Sequence, residues 1–265
     1  MSAGGGPAGL AFRNPRVQRL RRLARDPRAR RAERAFVVEG PRVVATALDA
    51  GVALEAVYVA PGFEGPVLDR ARAAGVEVAM LAPGVIERAA DAVTPQGVLA
   101  VAPAVDVTLD ALRACTLVVV CSGVADPGNL GTVLRSAEAA GAGAVICCDG
   151  TVDVSSPKCV RASAGALFHL KVVAGGAAVE VLEEVGGWGM RRLGTRSRGG
   201  TPHYRADLRG PTAVLLGNEA HGLPADVEPH LDGVVTVPIV GRAESLNVGV
   251  AAAVICFEAA RQRSC

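Results

Sequence analysis

The segment TLVVVC, residues 116–121, is the most informative stretch for the fold, because it carries no charged residue and almost no polar one. A strand with one face in water alternates apolar and polar residues, whereas a strand buried on both faces does not. Burial of both faces requires helices on each side of the sheet, and this arrangement is typical of parallel sheets. The segment therefore predicts an α/β domain with a parallel sheet.

Strand-like and helix-like segments alternate along most of the chain, in two runs that suggest two α/β modules. The residues are 50% hydrophobic but only 3% aromatic, so Val, Leu, Ala and Ile must form the core. We predict a disordered tail (1–12), a first domain (13–103), a linker (104–115) and a second domain (116–265).

Residues 13–34 form the most basic part of the chain, with ten arginines against Asp26 and Glu33. Asn14 and Pro15 are typical of a helix N-cap followed by the first helical residue. A basic helix on a mildly acidic remainder suits a polyanion. We expect Arg16, Arg19 and Arg22 to contact nucleic acid, although a solvated Arg-rich helix is the alternative.

Several classes of protein are disfavoured by what the sequence lacks. The sequence has no run of 18 apolar residues, so we expect no membrane span, and the N-terminus lacks the continuous apolar region of a secretory signal. The seven cysteines form no CxxC pair, which suggests reduced thiols in a cytoplasmic protein. The four histidines show no metal-ligand spacing, so we expect no metal site.

Polar residues cluster in three loops that each follow a predicted strand of the second domain. The carboxyl ends of parallel strands share one edge of the sheet, where open α/β sheets bind ligands. Loop one is residues 126–135, loop two is residues 215–223 and loop three is residues 241–247. Their candidate residues are Asn129, Gly131 and Arg135 in loop one, Gly217, Asn218, Glu219 and Gly222 in loop two, and Glu244, Ser245 and Asn247 in loop three.

Common nucleotide and hydrolase motifs do not explain these loops. Gly123, Gly128 and Gly131 do not form G-x-G-x-x-G, and no Walker A sequence occurs. Ser245 lacks the G-x-S-x-G context of a serine nucleophile. A purely structural alternative remains, in which Asn129 and Ser245 are only helix N-caps.

Taken together, the three loops resemble the SpoU (TrmH) class of methyltransferases in the SPOUT superfamily. N-x-G-x-x-x-R matches loop one, L-G-x-E-x-x-G matches loop two, and P-x-x-G-x-x-E-S-L-N-V-x-V-A matches residues 238–251. The segment SPKCVRASAGALFHL also resembles the family, and VVEGPRVV and VTPQGVLAV resemble its ribosomal-protein-like substrate-binding domain.

This resemblance implies S-adenosylmethionine as methyl donor, a ribose 2′-hydroxyl of RNA as acceptor, a homodimer and a C-terminal trefoil knot. General topology rules count against a knot, so only the resemblance predicts it. Gly217, Val237 and Leu246 are expected to border the cofactor through backbone groups. Leu216, Ile239 and Thr195 are expected to complete the pocket.

The same resemblance gives Arg135 the role of general base. A guanidinium stays protonated in proteins, so a clamp on the adjacent phosphate is the physical alternative. Asn129, Ser245 and Asn247 would orient the ribose and Arg135, and Glu219 would fix Asn129 or its loop. Glu244 has no assigned role.

Three further cations are candidate RNA contacts: Lys158 and Arg161, which could instead brace a dimer, and Arg196, which could be a mobile surface residue. The two-domain layout favours ribosomal RNA of the large subunit as substrate. A transfer RNA methyltransferase and a non-catalytic RNA-binding or ribosome-assembly protein that keeps the fold are the alternatives.

Overall fold

The structure is a computed structural model that describes residues 9–264. The chain divides into two compact units. Of the described residues, the first unit contains 9–104 and 155–168, and the second contains 105–154 and 169–264. Each unit has its own sheet, as the two runs of alternating segments predicted.

The first unit is built on a four-stranded mixed sheet with the order β1-β4-β2-β3. β4 is antiparallel to both β1 and β2, and β2 is parallel to β3. The elements are α1 (Pro15–Arg25), α2 (Pro27–Glu33), β1 (Ala35–Glu39), α3 (Pro41–Asp49), β2 (Ala56–Val59), α4 (Pro66–Ala73), β3 (Val78–Met80), α5 (Ile86–Ala89), β4 (Val98–Pro103) and α7 (Pro157–Ala162).

The basic helix α1 forms as predicted. The Asn14 side chain accepts a hydrogen bond from the Arg16 amide, and Pro15 is the first helical residue. Val17, Leu20 and Leu23 are fully buried and belong to the core of this unit. The arginines therefore lie on the two flanks and the outer face of a helix held by its apolar stripe.

Residues 9–12 differ from the predicted disordered tail. The Leu10 amide donates to the Met80 carbonyl (2.8 Å), and the Ala82 amide donates to the Leu10 carbonyl (3.0 Å). These backbone hydrogen bonds extend the edge of the sheet next to β3 and fix the start of the described chain. Residues 1–8 lie outside the described residues.

Residues 155–168 belong to the first unit, although we expected them in the second domain. They carry α7, which packs against β1. Arg161 of α7 forms an ion pair with the buried Glu39 at the end of β1 and a second one with Asp91 (2.9 Å). Glu39 also accepts hydrogen bonds from the Asp91 and Ala92 amides (2.6 and 3.2 Å). A buried carboxylate needs such partners, and Arg161 supplies the positive one.

The second unit contains a seven-stranded parallel sheet with the order β7-β6-β5-β10-β8-β11-β9. All five residues of β5 are buried, which confirms the two-sided burial inferred from TLVVVC. β9 has only two residues and was not predicted. The elements are β5 (Leu117–Cys121), α6 (Pro127–Ala139), β6 (Ala144–Cys147), β7 (Lys171–Ala174), α8 (Ala178–Gly187), β8 (Arg191–Thr195), β9 (Thr201–Pro202), β10 (Thr212–Leu216), β11 (Gly233–Thr236) and α9 (Val248–Arg263).

The predicted linker, residues 104–115, is for the most part not a free connection. From Val105 onward it belongs to the second unit, where the Val107 amide donates to the Val172 carbonyl (2.8 Å). Leu112 lies in a short 3-10 helix and is fully buried in the core. Leu112, whose burial the sequence pattern did not predict, thus packs this segment into the core of the second unit.

The described part of the chain has neither a membrane-spanning helix nor a cluster of metal ligands. None of its helices is both long and apolar enough to cross a bilayer. Within the same residues, no group of three or more His, Cys, Asp or Glu side chains is placed to hold a metal ion.

Candidate functional site

The three loops meet at the carboxyl edge of the second sheet. β5 and β10 are neighbours, so loop one after β5 and loop two after β10 lie side by side. β11 is two strands further along, but loop three leads into α9, and α9 packs against α6 of loop one. At the start of α9, a Cβ on Gly249 would lie 2.8 Å from Cγ2 of Thr132, so only glycine permits this approach of the two helices.

A chain of side-chain hydrogen bonds joins the three loops. Asn129 Nδ2 donates to Glu219 Oε1 (2.8 Å), and Asn247 Nδ2 donates to Asn129 Oδ1 (2.8 Å). Asn247 Oδ1 in turn accepts from the amides of Gly249 and Val250 at the start of α9 (2.9 and 3.3 Å). We call Glu219, Asn129 and Asn247 the amide relay. It holds one residue from each loop in a fixed position.

The direction of the amide relay follows from its two ends. Backbone N–H groups of α9 can only donate, and an ionised carboxylate can only accept, so each Asn amide has a single orientation that satisfies both neighbours. The partial positive charge of a helix N-terminus and the negative charge of Glu219 favour the same polarity. Burial raises the pKa of Glu219, but the hydrogen bonds from Asn129 and from the Ala125 and Asp126 amides outweigh it, so this pKa lies below its ordinary value.

The two helix caps differ from the structural alternative considered for Asn129 and Ser245. Asp126, not Asn129, caps α6 by accepting from the Asn129 amide (2.9 Å). Asn247, not Ser245, caps α9. The side chains of Asn129 and Ser245 are therefore not consumed as N-caps.

A second set of hydrogen bonds joins loop two to Gly123, which follows β5, and Gly123 to Thr151, and it was not predicted from the sequence. Asn218 Nδ2 donates to the Gly123 carbonyl (2.7 Å), and the Gly123 amide donates to the Thr151 hydroxyl (3.0 Å). Asn218 Oδ1 accepts from the Ala220 and His221 amides (2.9 and 3.1 Å). Asn218 was a candidate residue as a polar member of loop two, but nothing in the sequence marked Thr151.

Arg135 of α6 and Ser245 of loop three have uncommitted side chains. Both residues are exposed, and neither side chain forms a hydrogen bond or ion pair with any residue between 9 and 264. The same holds for Glu244. The residues of the amide relay thus hydrogen-bond one another, whereas the Arg135 guanidinium and the Ser245 hydroxyl remain available to a ligand.

The predicted cofactor residues fall into a buried group and an exposed group. Leu216 and Gly217 are buried at the end of β10, and Thr195 donates its hydroxyl hydrogen to the Leu215 carbonyl (3.0 Å). Val237 and Ile239 are partly buried, and Leu246 is 38% exposed. Thr195, Leu216, Gly217 and Val237 thus lie at or directly after the ends of β8, β10 and β11, whereas Ile239 and Leu246 lie in the segment between β11 and α9.

These residues fit a ligand with both polar edges and apolar parts. Gly217 is buried, yet its backbone N–H and C=O have no hydrogen-bond partner in the part of the chain that the structure describes. The backbone of residues 238–246 likewise makes none, although Leu246 and Val240 expose apolar surface there. Unpaired buried backbone groups beside exposed apolar side chains are typical of a binding site.

The predicted RNA contacts are mostly paired with carboxylates. Arg16 pairs with Glu77, Arg19 with Glu33 and Glu55, and Arg22 with Glu33. Arg161 pairs with Glu39 and Asp91, and Arg196 pairs with Glu228. Lys158 is exposed. The five arginines are thus partly neutralised within the protein.

Comparison with known proteins assigns both parts of the chain. Residues 116–257 match the model of the SpoU rRNA Methylase family, and residues 14–100 match the MRM3-like substrate binding domain. The chain is 32% identical over 222 residues to the 23S rRNA (guanosine(2553)-2'-O)-methyltransferase RlmP of Bacillus subtilis, covering 84% of this chain and 87% of that protein.

Two crystal structures superimpose on nearly the whole chain. One is an RNA 2'-O ribose methyltransferase, with a TM-score of 0.83, 35% identity and coverage of 97% of this chain and 99% of the other. The second is the SpoU methyltransferase AviRb from Streptomyces viridochromogenes in complex with the cofactor AdoMet, with a TM-score of 0.85, 29% identity and coverage of 95% and 99%. With its three motifs at one edge of a parallel sheet and a family model that spans them, the chain belongs to the SpoU rRNA methylase family.

Proposed function

We propose that the protein transfers a methyl group from S-adenosylmethionine to a ribose 2′-hydroxyl of RNA, and that this RNA is 23S ribosomal RNA. The observation that carries the proposal is the pair of uncommitted side chains, Arg135 of loop one and Ser245 of loop three, in two loops that the amide relay joins. Relatives named as 23S rRNA 2'-O-methyltransferases support both the reaction and the substrate. Such an enzyme acts where ribosomes are assembled, in the cytoplasm.

The backbone N–H and C=O groups that have no hydrogen-bond partner within the described residues are suited to bind the cofactor. The N–H and C=O of Gly217 and the backbone of residues 238–246 can pair with the edge of an adenine, and Leu246 can cover its face. When bound, S-adenosylmethionine supplies an electrophilic methyl group. Gly217 is needed for shape as well, because a Cβ there would lie 2.6 Å from the Leu223 amide nitrogen.

The reaction requires alignment more than acid–base strength. A 2′-hydroxyl is a weak nucleophile that loses its proton near the transition state, and the attacking oxygen must be in line with the methyl carbon. Arg135 can hold the neighbouring phosphate with two parallel N–H donors and stabilise the negative charge that develops on the oxygen. Ser245 can accept or donate a hydrogen bond at the ribose. The amide relay keeps both loops in register for this task.

The first unit supports ribosomal RNA over the two alternatives. It matches a substrate-binding domain, and this favours a large structured RNA over a substrate bound by the methylase domain alone. A non-catalytic RNA-binding protein would not need uncommitted arginine and serine side chains in two loops that the amide relay joins. Intact Arg135, Glu219, Ser245 and Asn247 therefore favour the enzyme.

A homodimer and a trefoil knot are also part of the proposal. Val250 and Phe257 of α9 are 46% and 51% exposed, and an exposed apolar stripe on a C-terminal helix suits a contact with a second copy. For the knot, the support is the order of the sheet. The chain leaves β8, returns to insert β10 between β5 and β8, and crosses again to β11 before α9 packs on α6.

The test is methyl transfer from labelled S-adenosylmethionine to ribosomal RNA and to transfer RNA. We expect label in ribosomal RNA with the wild-type protein. Arg135→Ala should abolish transfer while cofactor affinity, measured by calorimetry, stays within about twofold, because Arg135 is assigned to the RNA phosphate and not to the cofactor. Arg135→Lys should retain little activity, since an ammonium lacks the two-pronged geometry.

Arg113→Ala is the matched control. Arg113 is exposed in the same unit but precedes β5, at the opposite edge of the sheet, where it pairs with Glu184 (3.0 Å). It should transfer methyl groups like the wild type. Full activity in Arg135→Ala, or no transfer by the wild type to any RNA, would contradict the proposed function.

A further inference from the structure

The arginines of α1 and the segment after it form two sets with different surroundings. On one flank, Arg16 donates two hydrogen bonds to Glu77 (2.8 and 2.9 Å), and Arg19 bonds Glu33 and Glu55 (2.5 and 2.6 Å). These guanidiniums already have carboxylates as partners. An RNA phosphate would have to displace a carboxylate to bind them, so this flank is a poor site for an anion.

The other flank carries arginines without carboxylate partners. Arg21 and Arg25 lie one turn apart on α1, and Arg88 comes from α5, which packs against α1. None of the three forms an ion pair with any carboxylate of the described chain. The exposed Glu87, next to Arg88 in sequence, pairs with none of them either.

A phenylalanine ring organises these arginines. The Arg88 guanidinium carbon lies 3.4 Å from the centre of the Phe12 ring, and that of Arg21 lies 5.7 Å from it. Arg25 Nη2 donates to the Arg88 carbonyl (3.3 Å). Cation–π contacts and this hydrogen bond restrict the side chains without neutralising their charge. We call Phe12, Arg21, Arg25 and Arg88 the basic–aromatic patch.

The ring itself is held by its neighbours in the chain. The Phe12 carbonyl accepts a hydrogen bond from Gln18 Nε2 (2.5 Å), and Leu10 is tied to Met80 and Ala82 by backbone hydrogen bonds. Phe12 is partly buried against the core of the unit, whereas Arg25 and Arg88 are exposed. The patch is therefore preorganised, and binding of an anion would cost little side-chain ordering.

The charge of the two units favours a polyanion at this unit. The first unit holds sixteen Arg and Lys residues against ten Asp and Glu residues, a net charge of +6. The second unit holds twelve against sixteen, a net charge of −4. The unit that carries the patch thus attracts a polyanion while the unit that carries the methylase motifs does not.

We propose that the basic–aromatic patch is the surface of the first unit that binds the sugar–phosphate backbone of the RNA substrate, with Arg21, Arg25 and Arg88 each contacting a phosphate. This inference rests on the proposed function, and it moves the predicted contact from the flank of Arg16, Arg19 and Arg22 to the opposite one. Guanidiniums pair with phosphates through two parallel donors, and each such contact releases condensed counterions.

The test compares two double variants of the full-length protein that each remove two positive charges from the first unit. Arg21→Gln/Arg88→Gln removes the patch. Arg70→Gln/Arg72→Gln is the matched control, because Arg70 and Arg72 are exposed and paired with Asp49 and Asp69. Affinity for a 23S rRNA fragment is measured over a salt series without S-adenosylmethionine.

The patch variant should bind RNA about tenfold more weakly at low salt, and its slope of log affinity against log salt should fall by about 1.5 to 2, as expected for two lost phosphate contacts. The control should keep the wild-type slope. Arg21→Lys/Arg88→Lys keeps both charges and should keep most of the wild-type slope, which would show that substitution at these positions leaves the fold intact. Calorimetry of S-adenosylmethionine binding should give equal affinities for all variants.

An unchanged salt slope in the patch variant, or equal losses in both double variants, would overturn this inference. Equal losses would mean that only the net charge matters. Neither result bears on the reaction, because wild-type methyl transfer is scored separately. Conversely, absence of transfer by the wild type would refute the proposed function. The salt dependence of RNA affinity in the two double variants could still be compared.

Discussion

The substitution Asn247→Asp separates the two tasks of a single side chain. Asn247 Oδ1 caps α9, and Asn247 Nδ2 donates to Asn129 Oδ1. An aspartate keeps an oxygen for the cap but has no N–H to give. Asn129 would then stand between the carboxylate of Glu219 and the carboxylate introduced by the substitution. Both would need a donor from Asn129, but its single amide presents nitrogen on one side and oxygen on the other.

The expected magnitudes differ for stability and activity. Asn247→Ala loses a helix cap, about 1 kcal/mol, and one hydrogen bond, about 1 kcal/mol, so the free energy of unfolding should fall by about 2 kcal/mol. Asn247→Asp keeps the cap and gains about 0.5 kcal/mol from a negative charge at a helix N-terminus. It also loses the hydrogen bond to Asn129, about 1 kcal/mol, so its free energy of unfolding should fall by about 0.5 kcal/mol, less than that of Asn247→Ala. If the two opposed acceptors move apart, loop three is displaced, and a misalignment of about 1 to 3 kcal/mol in the transition state is a loss of about fivefold to 150-fold in kcat/KM.

The assay is urea unfolding together with methyl-transfer kinetics for the wild type and both variants. We expect both variants to be slow, with Asn247→Asp more stable than Asn247→Ala because it keeps the helix cap. If Asn247→Asp transferred methyl groups at the wild-type rate, the relay would have no part in positioning Arg135 and Ser245. The reasoning from hydrogen-bond direction would then be refuted.

Three further substitutions probe the relay, the pocket and the helix contact. The pKa of Glu219 lies below its ordinary value of 4.5, so its ionised form stabilises the fold above that pH. This stabilisation is lost as the pH falls through the lowered pKa. In urea unfolding, the stability difference between wild type and Glu219→Gln should therefore be constant at neutral pH and shrink below about pH 4. Gly217→Ala should lose cofactor binding in calorimetry, whereas Gly210→Ala, where a Cβ meets nothing within 4 Å, should bind normally. Gly249→Ala should lower the unfolding free energy by about 1 to 3 kcal/mol through its clash with Thr132, whereas Gly187→Ala in α8, which has open space, should raise it by about 0.5 kcal/mol. A normal cofactor affinity in Gly217→Ala, or equal effects of the two helical glycine substitutions, would count against the geometry described.

The local pattern of the sequence was sufficient for the sheet and for the position of the loops. Runs such as TLVVVC require burial on both faces, and parallel strands end at one edge, so loops one, two and three had to meet there. The N-cap at Asn14 was likewise a local property. These features depend on residues that are close in sequence.

The features that local sequence pattern did not predict depend on residues that are far apart. Asn129 bonds Glu219, 90 residues away, a pairing expected only once the family resemblance was drawn, and Asn247 bonds Asn129, 118 residues away, which was not expected. Neither pairing has a spacing that could mark it. The same reason applies to Arg161, whose partner Glu39 is 122 residues distant and draws α7 into the first unit.

In the arginine-rich segment, too, contacts with residues far away in the sequence decide what local pattern could not predict. Ten arginines within 22 residues predicted a basic helix, but not which of them keep their charge exposed. Glu77 and Glu55 pair with Arg16 and Arg19 from 61 and 36 residues away. The basic–aromatic patch likewise needs Arg88, 63 residues from Arg25, to lie beside α1.

The most direct test of the central claim is mass spectrometry of nucleosides from 23S rRNA treated with this protein and S-adenosylmethionine. We expect one nucleoside that carries an added methyl group on its ribose and blocks alkaline cleavage at its own 3′ side. Arg135→Ala should give none. A methyl group on a base, or an unmodified RNA after treatment with the wild-type protein, would contradict the proposed reaction.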